Sequence, residues 1–444
     1  LTDGVLFSIV AAGKITFYKN FSKQEKAMRI KTTAALALAI ALMIFFSACS
    51  ADAYEHCRRI KEYGKGRLYE CGGLKMAVLE GNYREMGRQY GALLKDDILA
   101  FYRQMIEGFV LKSGLFSEDD LRRLVVDPAI RTQAKRQSEL LKGLSEKTGL
   151  SFEKHVLLNS NVQAIMYLRK IGSGNATACT SMAAWGDYTV NGRTYTARNL
   201  DFPAIYREVA KTAGLVLVMK PNDGSNSVAG VCNAGMINFF DAMNDKGLYV
   251  EGNNAADSEG LVIYSDRSAI FDEGTNILFD ADTIEAVEGR LRTIRASYPL
   301  IFLCAGPATA HYFENGTTDV KKRVAREDGL ISAANQFLEP SWHILPLKNP
   351  GAWYSEARQS RLEALAKANK GRIQEETLMK ILDERLFNED GSLGKGVSVI
   401  EKLPKDDEVT VHQVITCPAA RKMWVRIPTH TGWIFFDLKK VFQN

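Results

Sequence analysis

The pattern of apolar and polar positions changes character near residue 171. From Tyr83 to about Lys112, the residues Met86, Tyr90, Leu93, Leu94, Ile98 and Phe101 recur three or four apart, the period of one helix face. Ser117 ahead of Glu118, Asp119 and Asp120 supplies a hydroxyl N-cap and an acidic first turn. Helical patterning is predicted to continue through Arg131–Lys147 and Phe152–Arg169, with a short strand before it at 74–81. After the small and polar stretch Ile171–Thr177 the chain reads as strands. Cys179–Tyr188 and Arg193–Asn199 are joined through Val190-Asn191-Gly192, and Asn-Gly between two strand runs is a strong hairpin signal. Further strands are predicted at Leu215–Lys220, Val228–Val231, Gly247–Glu251 and Leu300–Cys304, with a helix near Asp280–Ala296. Helices return at Ser355–Asn369 and Glu375–Leu386, and strands close the chain at Glu408–Thr416, Lys422–Ile427 and Trp433–Leu438. Strands and helices in runs, not in βαβ alternation, predict an α+β fold.

The first 53 residues stand apart. Met28-Arg29-Ile30-Lys31 is a short basic segment, and Ala34–Phe46 is apolar and uncharged. That stretch is short for a bilayer span and suits the core of an export signal. Phe46-Ser47-Ala48-Cys49 resembles a lipobox, which would make Cys49 a lipidated first residue. Ala51-Asp52-Ala53 offers an alternative cleavage site that yields a freely secreted protein, and an uncleaved membrane anchor is the third reading. Residues 1–27 read as an over-extended start and 28–53 as the signal, so the expected destination is the cell envelope or the exterior.

Composition narrows the classes. The chain of 444 residues is 46% apolar and 25% charged, as globular proteins are. The net charge of +5 is small, and Lys14, Lys19, Lys23, Lys26, Arg29 and Lys31 supply much of the excess. No basic run carries interleaved aromatics, so no nucleic-acid partner is expected. No C-x-x-C or H-E-x-x-H spacing marks a metal site, and no motif calls for a cofactor. In an oxidising compartment Cys57 and Cys71 could pair across a short loop; the sequence leaves this open.

The chemistry centres on Cys179, which opens a strand directly after the linker. The hairpin returns Ala197-Arg198-Asn199-Leu200-Asp201-Phe202 towards that strand. A guanidinium beside a thiol favours thiolate, and a carboxylate can hold an α-ammonium. None of the six histidines (His56, His155, His311, His343, His412, His430) lies in a Cys/His context. A base supplied by the cysteine's own α-amine, with an ordinary pKa of ~7.7–8.0, removes that need. The same thiol can attack the preceding carbonyl, giving an N-to-S acyl shift and then thioester hydrolysis between Ala178 and Cys179.

Several patches together resemble the cysteine N-terminal-nucleophile (Ntn) hydrolases. The resemblance is strongest to the isopenicillin-N acyltransferase family, and more distant to the choloylglycine hydrolase and penicillin V acylase group and to acid ceramidase. The patches are Gly81-Asn82-Tyr83-Arg84-Glu85-Met86-Gly87-Arg88-Gln89-Tyr90-Gly91, Cys179-Thr180-Ser181 with Arg198-Asn199-Leu200-Asp201-Phe202, and Met243-Asn244-Asp245-Lys246-Gly247-Leu248 running to Glu251-Gly252-Asn253-Asn254. Ala334-Asn335-Gln336-Phe337 and Ser355-Glu356-Ala357-Arg358 complete the series. The resemblance implies a four-layer αββα Ntn-hydrolase sandwich with an N-terminal helical pro-segment. It implies self-cleavage into a fragment 54–178 and a catalytic domain 179–444. Cys179 would be the nucleophile, Arg198 and Asp201 would flank it, and Asn253 or Asn254 would supply an oxyanion donor. Asn335 would be a second polar contact to the intermediate and Arg358 a buried charge partner. Ala178 stands where a glycine is common and Gln336 where a histidine is common. Trp185 and Phe202 are candidates for an acyl pocket or for the core. The implied partner is a small acyl amide or ester, hydrolysed or transferred through a thioester. Two other functions compete: a Cys–His thiol hydrolase, and an envelope lipoprotein that uses the same fold for binding without catalysis.

Overall fold

The computed structural model describes residues 56–171, 178–327, 329–402 and 407–443. The segment read above as an export signal, Cys49 and linker residues 172–177 lie outside these. The described strands are β1 (Cys57–Tyr63), β2 (Gly66–Cys71), β3 (Leu74–Gly81), β4 (Ala178–Gly186), β5 (Gly192–Pro203), β6 (Gly214–Pro221), β7 (Val228–Asn233), β8 (Asp241–Asn244), β9 (Tyr249–Asn254), β10 (Leu300–Ala305), β11 (Ala310–Asn315), β12 (Val320–Arg323), β13 (Leu330–Ala333), β14 (Glu408–Cys417), β15 (Lys422–Arg426) and β16 (Ile434–Asp437). They form a ten-stranded sheet, β1-β2-β3-β6-β7-β8-β9-β10-β11-β12, and a six-stranded sheet, β13-β4-β5-β14-β15-β16.

The principal helices are α1 (Tyr83–Tyr102), α2 (Lys135–Thr148), α3 (Phe152–Asn159), α4 (Asn161–Lys170), α5 (Ala204–Ala213), α6 (Ile270–Leu278), α7 (Ile284–Leu291), α8 (Gly351–Ala368) and α9 (Glu375–Asp383). Helices α1, α6 and α7 pack on the large sheet, and α8 and α9 pack on the small one. The two sheets face each other through a shared apolar core that includes Cys179, Leu200, Val250 and Phe302. This is the four-layer αββα order that the resemblance implies. No described helix is long and apolar enough to cross a membrane.

The N-terminal stretch is not helical alone. Strand β3 lies inside the large sheet, between β2 and β6, and its pairing with β6 is parallel. Cys57 and Cys71 are register partners and are joined by a disulfide. Strand β1 escaped sequence reasoning because residues 58–63 are exposed on both faces, so no alternation marks it. Strands β8, β12 and β13 are four residues each, too short for a periodic signal. The β4–β5 connection is also longer than the Val190-Asn191-Gly192 link expected. It spans 187–191, Gly192 takes the left-handed φ of +73°, and Thr189 bridges to Ile373.

The patch at 81–91 has a physical explanation. Asn82 caps α1 and forms a reciprocal capping box with Glu85. Where α1 crosses α2, Gly87 and Gly143 let the backbones touch. A Cβ on Gly87 would lie 2.1 Å from the Leu140 oxygen, and one on Gly143 would lie 2.2 Å from the Arg84 oxygen. Tyr90 then reaches the loop before β8: its hydroxyl donates to the Met236 oxygen at 2.9 Å and accepts from Gly235 N at 2.7 Å. Gly87→Ala or Gly143→Ala is therefore expected to lower stability by about 1–3 kcal/mol or more, since overpacked backbone has nowhere to relax. Thermal unfolding of the two variants, with Gly289→Ala as an open-space control, checks this.

Candidate active site

The pleat of the β4–β5 pair sorts the candidate residues. Register partners are Ala178 with Asp201, Cys179 with Leu200, Thr180 with Asn199 and Ser181 with Arg198. Residues opposite one another in an antiparallel pair share a face, and the face alternates along the strand. Cys179, Ser181, Arg198 and Leu200 therefore face the large sheet. Ala178, Thr180, Asn199 and Asp201 face the layer of α8 and α9. Arg198 and Asp201, expected to flank Cys179, approach it from opposite faces, because residues three apart on a strand point opposite ways. Arg198 meets the sulfur, and Asp201 lies across from Ala178.

Arg198 is fully buried and directs its five N–H groups at five acceptors. Nη2 points to the Cys179 sulfur at 3.2 Å and to the Gly252 oxygen at 2.6 Å. Nη1 points to the Phe240 oxygen at 2.9 Å and to Asp241 Oδ2 at 2.8 Å, and Nε points to Asn253 Oδ1 at 3.3 Å. On the other face Arg358 does the same. Its Nη1 donates to the Cys179 oxygen at 2.5 Å and Thr180 Oγ1 at 2.6 Å. Its Nη2 donates to Asn335 Oδ1 at 2.7 Å and the Ala352 oxygen at 3.2 Å, and Nε donates to the Trp353 oxygen at 3.0 Å. Asp201 Oδ2 lies 3.8 Å from Arg358 Nη1, and Asp201 Oδ1 accepts from Thr410 at 2.7 Å.

The backbone nitrogen of Cys179 donates to Asn335 Oδ1 at 2.8 Å. Asn335, expected to contact an intermediate, is thus hydrogen-bonded to the backbone of Cys179 itself. Its Nδ2 donates to the Asn254 oxygen at 2.7 Å. The two adjacent asparagines differ in placement. Asn253 is committed at both ends of its amide, accepting from Arg198 and donating to Ser181 Oγ at 2.8 Å. Asn254 lines the cavity that holds the sulfur.

That cavity measures about 20 Å³, room for about one water. Cys179, Arg198 and Asn254 share it with Phe202, Phe240 and Tyr298, and Val162 and Met166 of α4 close it. Phe202 thus lines the cavity and Trp185 does not. The sulfur is 1% exposed, and burial pushes its thiol up to about 11 despite Arg198. In the intact chain desolvation outweighs the guanidinium, so Cys179 is a thiol at neutral pH.

Around Arg198 lies a second set of groups that sequence reasoning passed over. Asp241 Oδ2 also meets His412 Nε2 at 2.8 Å, and Tyr249 Oη lies 2.8 Å from both Asp241 Oδ1 and Glu251 Oε2. Asp241 and Glu251 sat within or beside the patch 243–254, but their inward direction is a matter of register. His412 contacts Asp241, and no described histidine is hydrogen-bonded to Cys179. Gln336 accepts from Leu347 N at 2.6 Å and braces the loop before α8. No described group of three or more His, Cys, Asp or Glu could hold a metal ion.

No family model and no curated protein sequence matches the chain. Solved structures with partial likeness include a mutant of conjugated bile acid hydrolase from Clostridium perfringens, 13% identical, covering 59% of this chain and 93% of that one with a TM-score of 0.39. A Caenorhabditis elegans N-acylethanolamine-hydrolyzing acid amidase ortholog is 15% identical and covers 54% and 93%, with a TM-score of 0.36. Penicillin V acylase from Agrobacterium tumefaciens is 13% identical and covers 59% and 87%, with a TM-score of 0.37.

Two expectations follow from this geometry. Arg358→Lys leaves at least two of the five acceptors without their donor, because an ammonium has three N–H groups and cannot reproduce a planar fork. Urea unfolding should show a loss of about 3–5 kcal/mol. Arg361→Lys, with one contact at 3.4 Å, should stay within about 1 kcal/mol. Burial also pushes the Asp201 carboxyl up to about 6, with Arg358 opposing. A raised carboxyl pKa contributes stability below its unfolded value and loses it as pH rises through about 6. Wild type is therefore expected to lose stability relative to Asp201→Asn between pH 4 and 7, by about 3 kcal/mol for a two-unit shift. Denaturation of both proteins across that range measures it.

Proposed function

We propose that the chain is a cysteine Ntn hydrolase that cleaves amide bonds through a thioester on Cys179, after severing its own Ala178–Cys179 bond. The observation that carries this reading is the double hold on one residue. Arg198 Nη2 reaches the sulfur at 3.2 Å, while Asn335 Oδ1 takes the nitrogen at 2.8 Å and Arg358 Nη1 takes the carbonyl at 2.5 Å. A structural thiol requires none of these contacts. A nucleophile whose own nitrogen must become the base requires all of them.

In self-cleavage the sulfur adds to the Ala178 carbonyl carbon, the C–N bond breaks, and the nitrogen leaves as an amine that takes up a proton. Water then hydrolyses the resulting thioester, freeing the Ala178 carboxylate and the Cys179 thiol. The new amine stays beside Asn335 and serves as base for the sulfur in later turnovers. Asn254 is the oxyanion donor in this reading, because it lines the cavity with the sulfur and Asn253 does not. The cavity's aromatic and aliphatic lining suits an apolar acyl group, carried on an amide or an ester and passed to water or to an amine. Export belongs to the same proposal: the Cys57–Cys71 disulfide supports an oxidising compartment, reached through the signal at 28–53 with or without a lipid on Cys49. The Cys–His alternative requires an imidazole on the sulfur, and the described residues supply none.

Purified protein should yield a fragment whose N-terminal sequence is Cys-Thr-Ser-Met, and Cys179→Ala should remain one chain on a denaturing gel. An intact wild-type chain that still hydrolyses acyl amides would sink the proposal. Asn254→Ala should lower kcat about 10²–10³-fold. Asn253→Ala should instead show in unfolding, since it strips a partner from both Ser181 and Arg198.

A further inference from the structure

Tyr249 Oη has one proton and two carboxyl neighbours, each at 2.8 Å. Both contacts are hydrogen bonds only if one of the carboxyls brings a proton of its own. Asp241 is unsuited to that part: its Oδ2 already receives Arg198 Nη1 and His412 Nε2, each at 2.8 Å. Glu251 differs. Its Oε2 lies 3.9 Å from Arg198 Nε, whose proton is aimed at Asn253, and its Oε1 has no hydrogen bond. A bare carboxylate at 2% exposure, with only the Tyr249 and Ser181 hydroxyls as hydrogen-bond partners, is costly, and a neutral acid there is less so.

We propose that Glu251 is a positioning residue that carries a proton, donated through Tyr249 towards Asp241, so that Arg198 has one counter-charge behind it and directs the rest of its field at the Cys179 sulfur. The groups facing Glu251 from each neighbouring strand are Arg198 on β5, Asp241 on β8, Tyr249 on β9, Cys304 on β10, Tyr312 on β11 and Ser181 on β4. His412 on β14 lies beyond Asp241, and burial holds its imidazole below the usual range, so it donates as a neutral ring. With Glu251 protonated, Arg198 and Asp241 cancel. With Glu251 ionised, two carboxylates share one guanidinium, and a thiolate would be the third anion on it. Burial pushes the Glu251 carboxyl up to about 8, Asp241 adding to the rise and Arg198 opposing it. The switch therefore falls on the alkaline side of neutrality.

The consequence for turnover rests on the cysteine-nucleophile reading; the place of the proton does not. In the full chain labelled with 13C at glutamate carboxyl carbons, one resonance should titrate above neutral pH and be missing from Glu251→Gln. If every glutamate titrates in the ordinary carboxylate range, the proposal is wrong. The second readout is alkylation of Cys179 by iodoacetamide, followed on its own peptide by mass. Wild type and Glu251→Gln should agree within about twofold below pH 7. Near pH 9 the variant should react roughly tenfold faster, the effect of about one unit in the thiol pKa. Equal rates near pH 9 would overturn the coupling. Should Glu251→Gln fail to fold, wild type decides alone: its log rate against pH must fall below unit slope where the glutamate titrates. A chain that meets both expectations yet never self-cleaves would refute the hydrolase reading and leave this one standing.

Discussion

Two guanidinium groups set the terms for the centre of this molecule. A buried cation is tolerated only if every N–H finds an acceptor, and Arg198 and Arg358 each place five. Those acceptors come from β4, β8, β9, the segment after β13 and the start of α8. Meeting the demand of the two side chains therefore fixes how the sheets and the helix layer stand relative to one residue. Cys179 lies where the two demands meet, with its sulfur on one guanidinium and its carbonyl on the other. The start of α8 shows the strength of the constraint. Ala352, Trp353 and Tyr354 all take left-handed φ, between 44° and 60°, and two of the three turn their carbonyls onto Arg358. Left-handed backbone costs roughly 1–2 kcal/mol per L-residue. The charge-assisted bonds to Arg358 offset that strain.

Much of this was legible in the sequence, for reasons that differ from residue to residue. Long amphipathic helices such as α1 and α2 announce themselves by period. Cys179, Arg198 and Asp201 were legible as a hairpin constellation, but which of them meet was not. Period two decides that, and it separated Asp201 from the sulfur. The choice between Asn253 and Asn254 was likewise closed to inspection, because adjacent residues on a strand differ only in the face they take. His412 carries no local signal that ties it to the site. Its neighbour is Asp241, brought from the opposite sheet, and a contact across 171 positions leaves no local trace.

Burial and charge act against each other throughout the site. The thiol, Asp201 and Glu251 are all pushed towards their neutral forms, and only Asp241 is held ionised, by Arg198 and His412. With the cavity closed, burial keeps the Cys179 sulfur in its thiol form.

The placement of β3 has a bearing on what a break at 178–179 can accomplish. Its seven register pairs with β6 tie the stretch before the break into the same hydrogen-bonded ladder as the stretch after it. Two polypeptides would then leave the reaction as one particle, inseparable by dilution and parted only by denaturant. Any attachment made by the upstream piece would tether Cys179 as well.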